Sequence, residues 1–273
     1  DAGGALGAAL AAYYLWFGKE RIVHPTDSLQ GAYLGPAYSD IDTERMARKY
    51  QALCTSFESF EKLCTDIAGR IADGAIVGWV QGRMEWGPRA LGNRSILADP
   101  RNPDMQKKLN LKIKYREGFR PFAPSVLEED VADYFETQEP SPYMLFTAPV
   151  VARRRKPRAS KAVGLLERLY SPRSDIPSVT HLDYSARLQT VSKNTNKPYW
   201  MLINAFKEKT GYAVLVNTSF NVRGEPIVCT PDDAYQCFMN TDMDYLVIGN
   251  SVFAKTAQPV WTHKSAEELH GLD

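Results

Sequence analysis

Ala213-Val214-Leu215-Val216-Asn217-Thr218-Ser219-Phe220-Asn221-Val222-Arg223-Gly224-Glu225-Pro226 is the stretch on which the fold turns. Its first four residues are the strongest strand signal in the chain and sit inside a strand expected over Tyr212–Asn217. Small amide and hydroxyl side chains follow at once. At the carboxyl end of a strand in an α/β sheet such groups are well placed to hydrogen-bond phosphates or a carbonyl, because ligands gather at those ends. The same residues also build ordinary polar turns.

Helical and strand patterns alternate on both sides. Lys197–Thr210 reads as a helix, Thr230 caps another with Pro231 at its first position and Asp233 in its first turn, and Tyr245–Ile248 reads as the last strand. Upstream, Thr55-x-x-Glu58 is a capping-box pattern, followed by Phe57, Phe60, Leu63, Ile67 and Ile71 at helical spacing until Gly74. Ala75–Val80, Phe122–Leu127, Tyr143–Val150 and Ala186–Val191 read as strands. Asp104–Ile113 and Glu128–Phe135 read as helices. Arg153–Pro177, with the basic run Arg153-Arg154-Arg155-Lys156, reads as a mobile insertion with solvated charges. Strands separated by helices imply an α/β domain with a mixed sheet.

The 273 residues are 44% hydrophobic and 24% charged, with a formal net charge of +1. That charge gives no field for tracking a nucleic-acid backbone, so an anion site has to come from local clusters. Cys54, Cys64, Cys229 and Cys237 show no CxxC spacing, as for reduced thiols in a cytoplasmic protein. The apolar run Ala2–Phe17 falls short of the roughly 20 residues of a spanning helix, so no membrane is expected and a buried helix ended by Gly18 is. Beginning on Asp1 rather than Met, the run reads as a cut inside a larger protein. Lys19–Tyr50 reads as a connector.

Three segments have compositions that packing does not explain. Gly82–Ser95 interleaves Arg83, Arg89 and Arg94 with Gly82, Gly87 and Gly92, a poor helix and a poor core. It suits an anion approached by backbone amides and by planar guanidinium forks together. Lys112, Lys114, Arg116 and Arg120 lie within nine positions, and Pro121 favours an extended chain at Arg120. The plain alternative there is a solvated helix end favoured by the helix dipole. The third segment is the opening one. A weaker piece is His181–Gln189, where Arg187 and Gln189 are expected on one face of a strand. Together these describe a pocket for multiply charged phosphates. No Gly-x-x-x-x-Gly-Lys-Ser/Thr loop and no Gly-x-Ser-x-Gly elbow is present, so neither a P-loop enzyme nor a hydrolase triad is supported.

At these residues the chain resembles the carbamoyltransferase family that includes nodulation and antibiotic O-carbamoyltransferases. Arg83–Pro100, Arg120-Pro121-Phe122-Ala123-Pro124 and Asn217-Thr218-Ser219-Phe220-Asn221 carry the likeness, which covers almost the whole chain. The resemblance implies two parts. Residues 1–50 would be the helical end of an actin-like ATPase (Kae1-like) domain plus the connector. Residues 51–273 would be a YrdC-like α/β domain with a mixed, twisted sheet and flanking helices, which turns carbamoyl phosphate and ATP into carbamoyl-adenylate.

The resemblance also assigns roles. Arg89, Lys114 and Arg120 would be catalytic, and Arg94, Arg116, Arg187, Ser219, Asn221 and Arg223 would hold carbamoyl phosphate and ATP, with Mg²⁺ on the nucleotide. Asp1 would be one ligand of an incomplete metal site, because His24, His181, His263 and His270 do not match the companion histidines. Fe²⁺ or another divalent metal is therefore expected only in the intact two-part protein. The hydroxyl acceptor, a small molecule or sugar, and the missing Kae1-like domain would be its partners. A nucleic-acid module or a threonylcarbamoyl-adenylate synthase of tRNA modification is the rival reading. The second shares Ser219-x-Asn221 but not Arg83–Pro100.

Overall fold

The computed structural model describes residues 3–24, 26–157, 164 and 170–261. At its centre β8 (Val214–Ser219) runs antiparallel to β3 (Arg94–Ala98) on one side and to β4 (Ala123–Leu127) on the other. Val214–Asn217 is buried, as an unbroken apolar run on a central strand requires. Among the described residues the main sheet has eight strands. Their order is β1 (Thr55–Ser56), β10 (Ser251–Ala254), β9 (Tyr245–Ile248), β2 (Val77–Val80), β3, β8, β4 and β7 (Gln189–Val191). β2 with β9 and β4 with β7 are parallel and the other neighbours antiparallel, so the sheet is mixed, as expected. β5 (Thr147–Pro149) and β6 (Ser185–Arg187) form a separate antiparallel pair.

Helices α1 (Gly4–Ala11), α2 (Asp40–Tyr50), α3 (Phe60–Ala72), α4 (Met105–Lys112) and α5 (Val131–Tyr134) precede α6 (Lys197–Thr210) and α7 (Pro231–Met239). Helical spacing sets which faces are buried. Leu63, Ile67 and Ile71 of α3 and Leu202, Ile203 and Phe206 of α6 are fully buried in one core. Each such side chain contributes about 1.5–3 kcal/mol, so truncating Phe206 to Ala would be among the most damaging single changes. Thr230 and Asp233 close the capping box that starts α7, at 3.1 and 2.9 Å.

Several sequence expectations need correction. The run before Gly18 is helical but not buried: Leu15 and Trp16 are 83% and 84% exposed. It is apolar all round rather than along one stripe, the pattern of a buried helix, yet most of its side chains are left exposed by the described residues. Thr55 starts no helix. Thr55 and Ser56 pair with Val252 and Ser251 as an edge strand, and Ser59 caps α3 instead, accepting from Lys62 N at 3.3 Å. The connector holds α2, which buries Met46 in the main core and stacks Tyr50 on Tyr235 at 5.1 Å. β3 and β10 lie where no strand was expected. Ala186–Val191 is broken at Leu188, so Arg187 and Gln189 belong to different strands.

The basic run is docked in part: Arg154 and Arg155 are half-buried, while Arg153 and Lys156 stay exposed. Arg153 pairs with Asp133, Arg154 with Asp175 and Arg155 with Glu136, at 2.6, 2.5 and 2.5 Å. The rest of the expected insertion, 158–163 and 165–169, lies outside the described residues. No helix among the described residues is long and apolar enough to cross a membrane.

Candidate functional site

β8 and the residues following it bring one cluster together. Lys114, Arg116, Arg120, Ser219, Asn221 and Arg223 line a hollow of about 190 Å³. Lys114 follows α4 by two residues and is 4% exposed. Its ammonium donates to Ser219 O and, at 2.9 Å each, to Asn221 O and Oδ1; Ser219 Oγ lies at 3.3 Å. Burial pushes its pKa down to about 7. Ser219 Oγ donates to Asn221 Oδ1 at 2.7 Å and Asn221 Nδ2 to Glu225 O at 2.8 Å, so the loop after β8 is closed on itself.

The arginines differ in how firmly they are held. Arg116 Nε donates to Asn110 Oδ1 at 2.7 Å, and its guanidinium stands over the Phe122 ring at 5.1 Å. Burial and then the charge of Arg120 push its pKa down. Arg120 and Arg223 are exposed. Glu117 pairs with Arg120 at 2.8 Å, and its own backbone amide first, then the charges of Arg120 and Arg223, hold its carboxyl below the usual range. Among the described residues lining the hollow, Lys114, Arg116, Arg120 and Arg223 are basic and none is acidic, so it is positive, and a phosphate would relieve the mutual repulsion of the guanidiniums.

Arg89 and Arg187 lie elsewhere, along the same face of β8. Asn217 and Ser219 are two residues apart on the strand and so point to one side. Asn217 Nδ2 donates to Ala90 O at 3.1 Å and to Gln189 Oε1 at 2.9 Å. Gln189 Nε2 donates to Leu91 O at 2.7 Å, and Ser125 Oγ donates to Gln189 Oε1 at 2.6 Å. Segments 89–91 and 187–189 thus converge over Asn217. Burial and the charge of Arg89 push the Arg187 pKa down, and Arg187 Nε has no hydrogen-bond partner among the described residues. Asn217 Oδ1 is likewise buried without a partner. Asn217 and Gln189 were not assigned roles from sequence; the two-residue offset from Ser219 was the available signal for Asn217.

Arg94 is differently placed. It is 1% exposed, and its guanidinium donates to the carbonyls of Gln81, Asn93 and Cys229 at 3.0, 2.8 and 3.1 Å. Glu85, 5% exposed, accepts at Oε1 from the amides of Leu91, Asn93 and Arg94 at 2.6, 2.8 and 3.3 Å. This carboxylate therefore shapes the loop that carries Arg89, and sequence reasoning did not single it out. Asp1 lies outside the described residues, and no group of three or more His, Cys, Asp or Glu among the described residues could hold a metal ion.

Residues 68–255 match the family described as Carbamoyltransferase C-terminus. The chain belongs to the carbamoyltransferase family. An uncharacterised protein of Synechocystis, sll1178, is 55% identical over 263 residues, covering 95% of this chain and 43% of that protein. Nodulation protein NolNO of Sinorhizobium fredii is 45% identical over 267 residues, covering 95% of this chain and 35% of NolNO. The 3'-hydroxymethylcephem-O-carbamoyltransferase of Amycolatopsis lactamdurans is 36% identical over 190 residues, covering 70% of this chain and 32% of that enzyme. The chain thus spans less than half the length of these relatives. A solved structure of full-length HypF in its phosphate- and nucleotide-bound form matches 87% of the chain and 32% of HypF at 14% identity and a TM-score of 0.38, too low to carry an argument.

Proposed function

We propose that this chain is the activating part of an ATP-dependent O-carbamoyltransferase, YrdC-like in fold. It converts carbamoyl phosphate and ATP into carbamoyl-adenylate. A Kae1-like part then passes the carbamoyl group to the hydroxyl of a small molecule or sugar. The observation that carries this reading is the positive hollow at the carboxyl end of β8, in a chain of this family. The thiols and both substrates suit the cytoplasm.

The chemistry needs positioning more than it needs a nucleophilic side chain. A water oxygen bonds to the phosphorus of carbamoyl phosphate, the bond from that phosphorus to the bridging oxygen breaks, carbamate leaves with the electron pair, and the protons of the water stay on the phosphate as dihydrogen phosphate. A carbamate oxygen then bonds to the α-phosphorus of ATP, the bond from that phosphorus to its bridging oxygen breaks, and pyrophosphate leaves with the electron pair. Every reactant is an anion, so fixed guanidiniums lower the barrier by stabilising charge on the transferring and leaving oxygens. Arg116, Arg120 and Arg223 do this at one end and Arg89 and Arg187 at the other. Lys114 holds Ser219 and Asn221 in place between them, and Mg²⁺ accompanies the nucleotide. Iron has no fitting ligand set among the described residues.

The test is pyrophosphate release that requires both substrates. Arg120→Ala should lower it about a hundredfold, the scale of losing one donor to transition-state charge. Arg153→Ala, at a 60% exposed side chain on the basic run, should leave it unchanged. Equal losses in the two variants would replace the built site with diffuse electrostatics.

A further inference from the structure

We infer that residues 27–36 form a strap belonging to the Arg89 end of the site, and that Tyr33 is its positioning residue, holding the loop from which Arg89 approaches an anion; this rests on the activation reading above. The strap lies outside residues 68–255, the part that matches the family. It is nevertheless laced to the loop that leads to Arg89. Gly35 N donates to Met84 O at 2.9 Å, Met84 N to Pro36 O at 2.8 Å and Trp86 N to Ala32 O at 2.6 Å. Arg83 clamps the strap as well, Nε donating to Tyr33 O at 3.1 Å and Nη2 to Leu34 O at 2.7 Å. Those donors of Arg83 are thus spent on the strap rather than on an anion.

Tyr33 joins three elements. Its hydroxyl donates to Leu91 O at 2.8 Å and accepts from Asn196 Nδ2 at 3.0 Å. Asn196 Nδ2 also donates to Asn93 Oδ1 at 2.9 Å, and Asn196 Oδ1 caps α6 by accepting from Tyr199 N at 3.1 Å. Leu91 O takes a second bond from Gln189 Nε2 at 2.7 Å. The carbonyl two residues beyond Arg89 is therefore pinned between the strap and β7. Pinning is needed because Arg89 and Arg187 carry like charges that act on each other. Two free guanidiniums would swing apart, whereas a fixed backbone keeps both on one anion. The strap adopts an unfavourable backbone to do this. Gln30, Gly31 and Ala32 have φ of 52°, 67° and 65°, a left-handed run where L residues enter that region singly. Asp27 enforces it, accepting from Leu29 N and Gly31 N at 3.0 and 2.8 Å and from the Tyr143 hydroxyl. Such strain persists only where the surroundings over-determine it, and it gathers at ligand clamps.

Pyrophosphate release and isothermal titration with carbamoyl phosphate, both on the 273-residue chain, test this. Tyr33→Phe keeps the ring and removes only the hydroxyl. The variant should keep a cooperative urea transition, since Leu91 O retains Gln189 and Asn196 retains Asn93. Its kcat/KM should fall about tenfold, within the cost of a misplaced binding group. In an Arg89→Ala background the same substitution should change kcat/KM less than about twofold, because the group it aims is gone. Asp27→Ala frees the turn without touching Leu91; it should act in the same direction and be silenced in the same background. A Tyr33→Phe chain as active as the unchanged one, or a loss that multiplies in full with that of Arg89→Ala, overturns the inference. The titration separates the two readings. A chain that binds carbamoyl phosphate, and binds it more weakly after Tyr33→Phe, yet releases no pyrophosphate loses the activation reading and keeps the strap. A chain that binds none loses both.

Discussion

The Lys114 ammonium donates to Asn221 Oδ1 at 2.9 Å across 107 positions of sequence, and its remaining contacts are oxygens of the same short loop. A lysine that resembled a direct phosphate ligand thus spends its protons on the protein. It fixes Ser219 and Asn221, while the arginines keep donors for an anion.

That burial has a pH signature. Lys114 has a folded pKa of about 7, against roughly 10.4 in an unfolded chain. Between those values the unfolded state binds more protons, so stability rises with pH; below 7 both states are charged and the folded state bears the full cost of a buried cation. Lys255, pushed down to about 8 by burial, adds the same sign. Cys64 and Cys237, pushed up to about 12, oppose it once unfolded thiols begin to ionise near 8.5. The urea midpoint should therefore rise between pH 7 and 8.5, with Lys114 contributing about 1–2 kcal/mol, and flatten above. Lys114→Met should reduce that slope. An unchanged slope would mean the ammonium is not desolvated.

Gly92 should tolerate no side chain. Its φ is +108°, and an added Cβ would stand 2.1 Å from Tyr199 Cδ1, a fully buried ring that cannot move aside. Gly92→Ala combines backbone strain with overpacking and should cost at least about 2 kcal/mol. Chemical denaturation measures it, and a loss under 0.5 kcal/mol, about the scale of an ordinary surface change, would contradict the placement.

What the sequence made legible follows the strength of local signals. Lys197–Thr210 and the Thr230 cap have patterns that one element explains and were read to the residue, whereas the strand expected over Tyr212–Asn217 lies two residues later, at Val214–Ser219, so that Ser219 ends the strand instead of following it. Arg94–Ala98 was hidden because its first residue is an arginine, and only tertiary carbonyls from residues 81, 93 and 229 make burial of that guanidinium affordable. Asp40–Tyr50 was hidden because its buried stripe is as narrow as Thr43 and Met46. At the site, cation clusters announced themselves through composition. Buried amides such as Asn217 and Gln189, and a buried acid such as Glu85, have no compositional mark and appear only once the partners are assembled.

Within the basic run, Arg154 departs from the expected solvated behaviour and Arg153 does not. Arg154 has a side chain only 19% exposed, pairs with Asp175 at 2.5 Å and lies 4.0 Å from the Tyr134 ring centroid. Arg154→Ala should cost about 1–2 kcal/mol through the lost cation–π and ion-pair contacts. Arg153→Ala should stay within about 0.5 kcal/mol. Thermal unfolding of the two variants separates docking from solvation, since equal melting temperatures would restore a solvated run.

Glu85 offers the sharpest test of how the Arg89 loop is built. One oxygen accepts three backbone amides, from Leu91, Asn93 and Arg94, inside a buried site. Burial pushes the carboxyl pKa up, while those amides and the Arg94 charge pull it back. With the folded pKa above the unfolded value, the stability contributed by its protonation is present below about 4.3 and is lost as pH rises through the folded pKa. Glu85→Ala leaves three buried donors without an acceptor and should cost on the order of 3 kcal/mol. Glu85→Gln keeps a carbonyl oxygen for the amides and should cost less than half as much. Its stability against pH should also lose the acid-side inflection of the native protein. Urea unfolding of both variants and of the unchanged chain between pH 4 and 8 decides it. If Gln is as damaging as Ala at every pH, the charge of the carboxylate, rather than its role as acceptor, holds the loop.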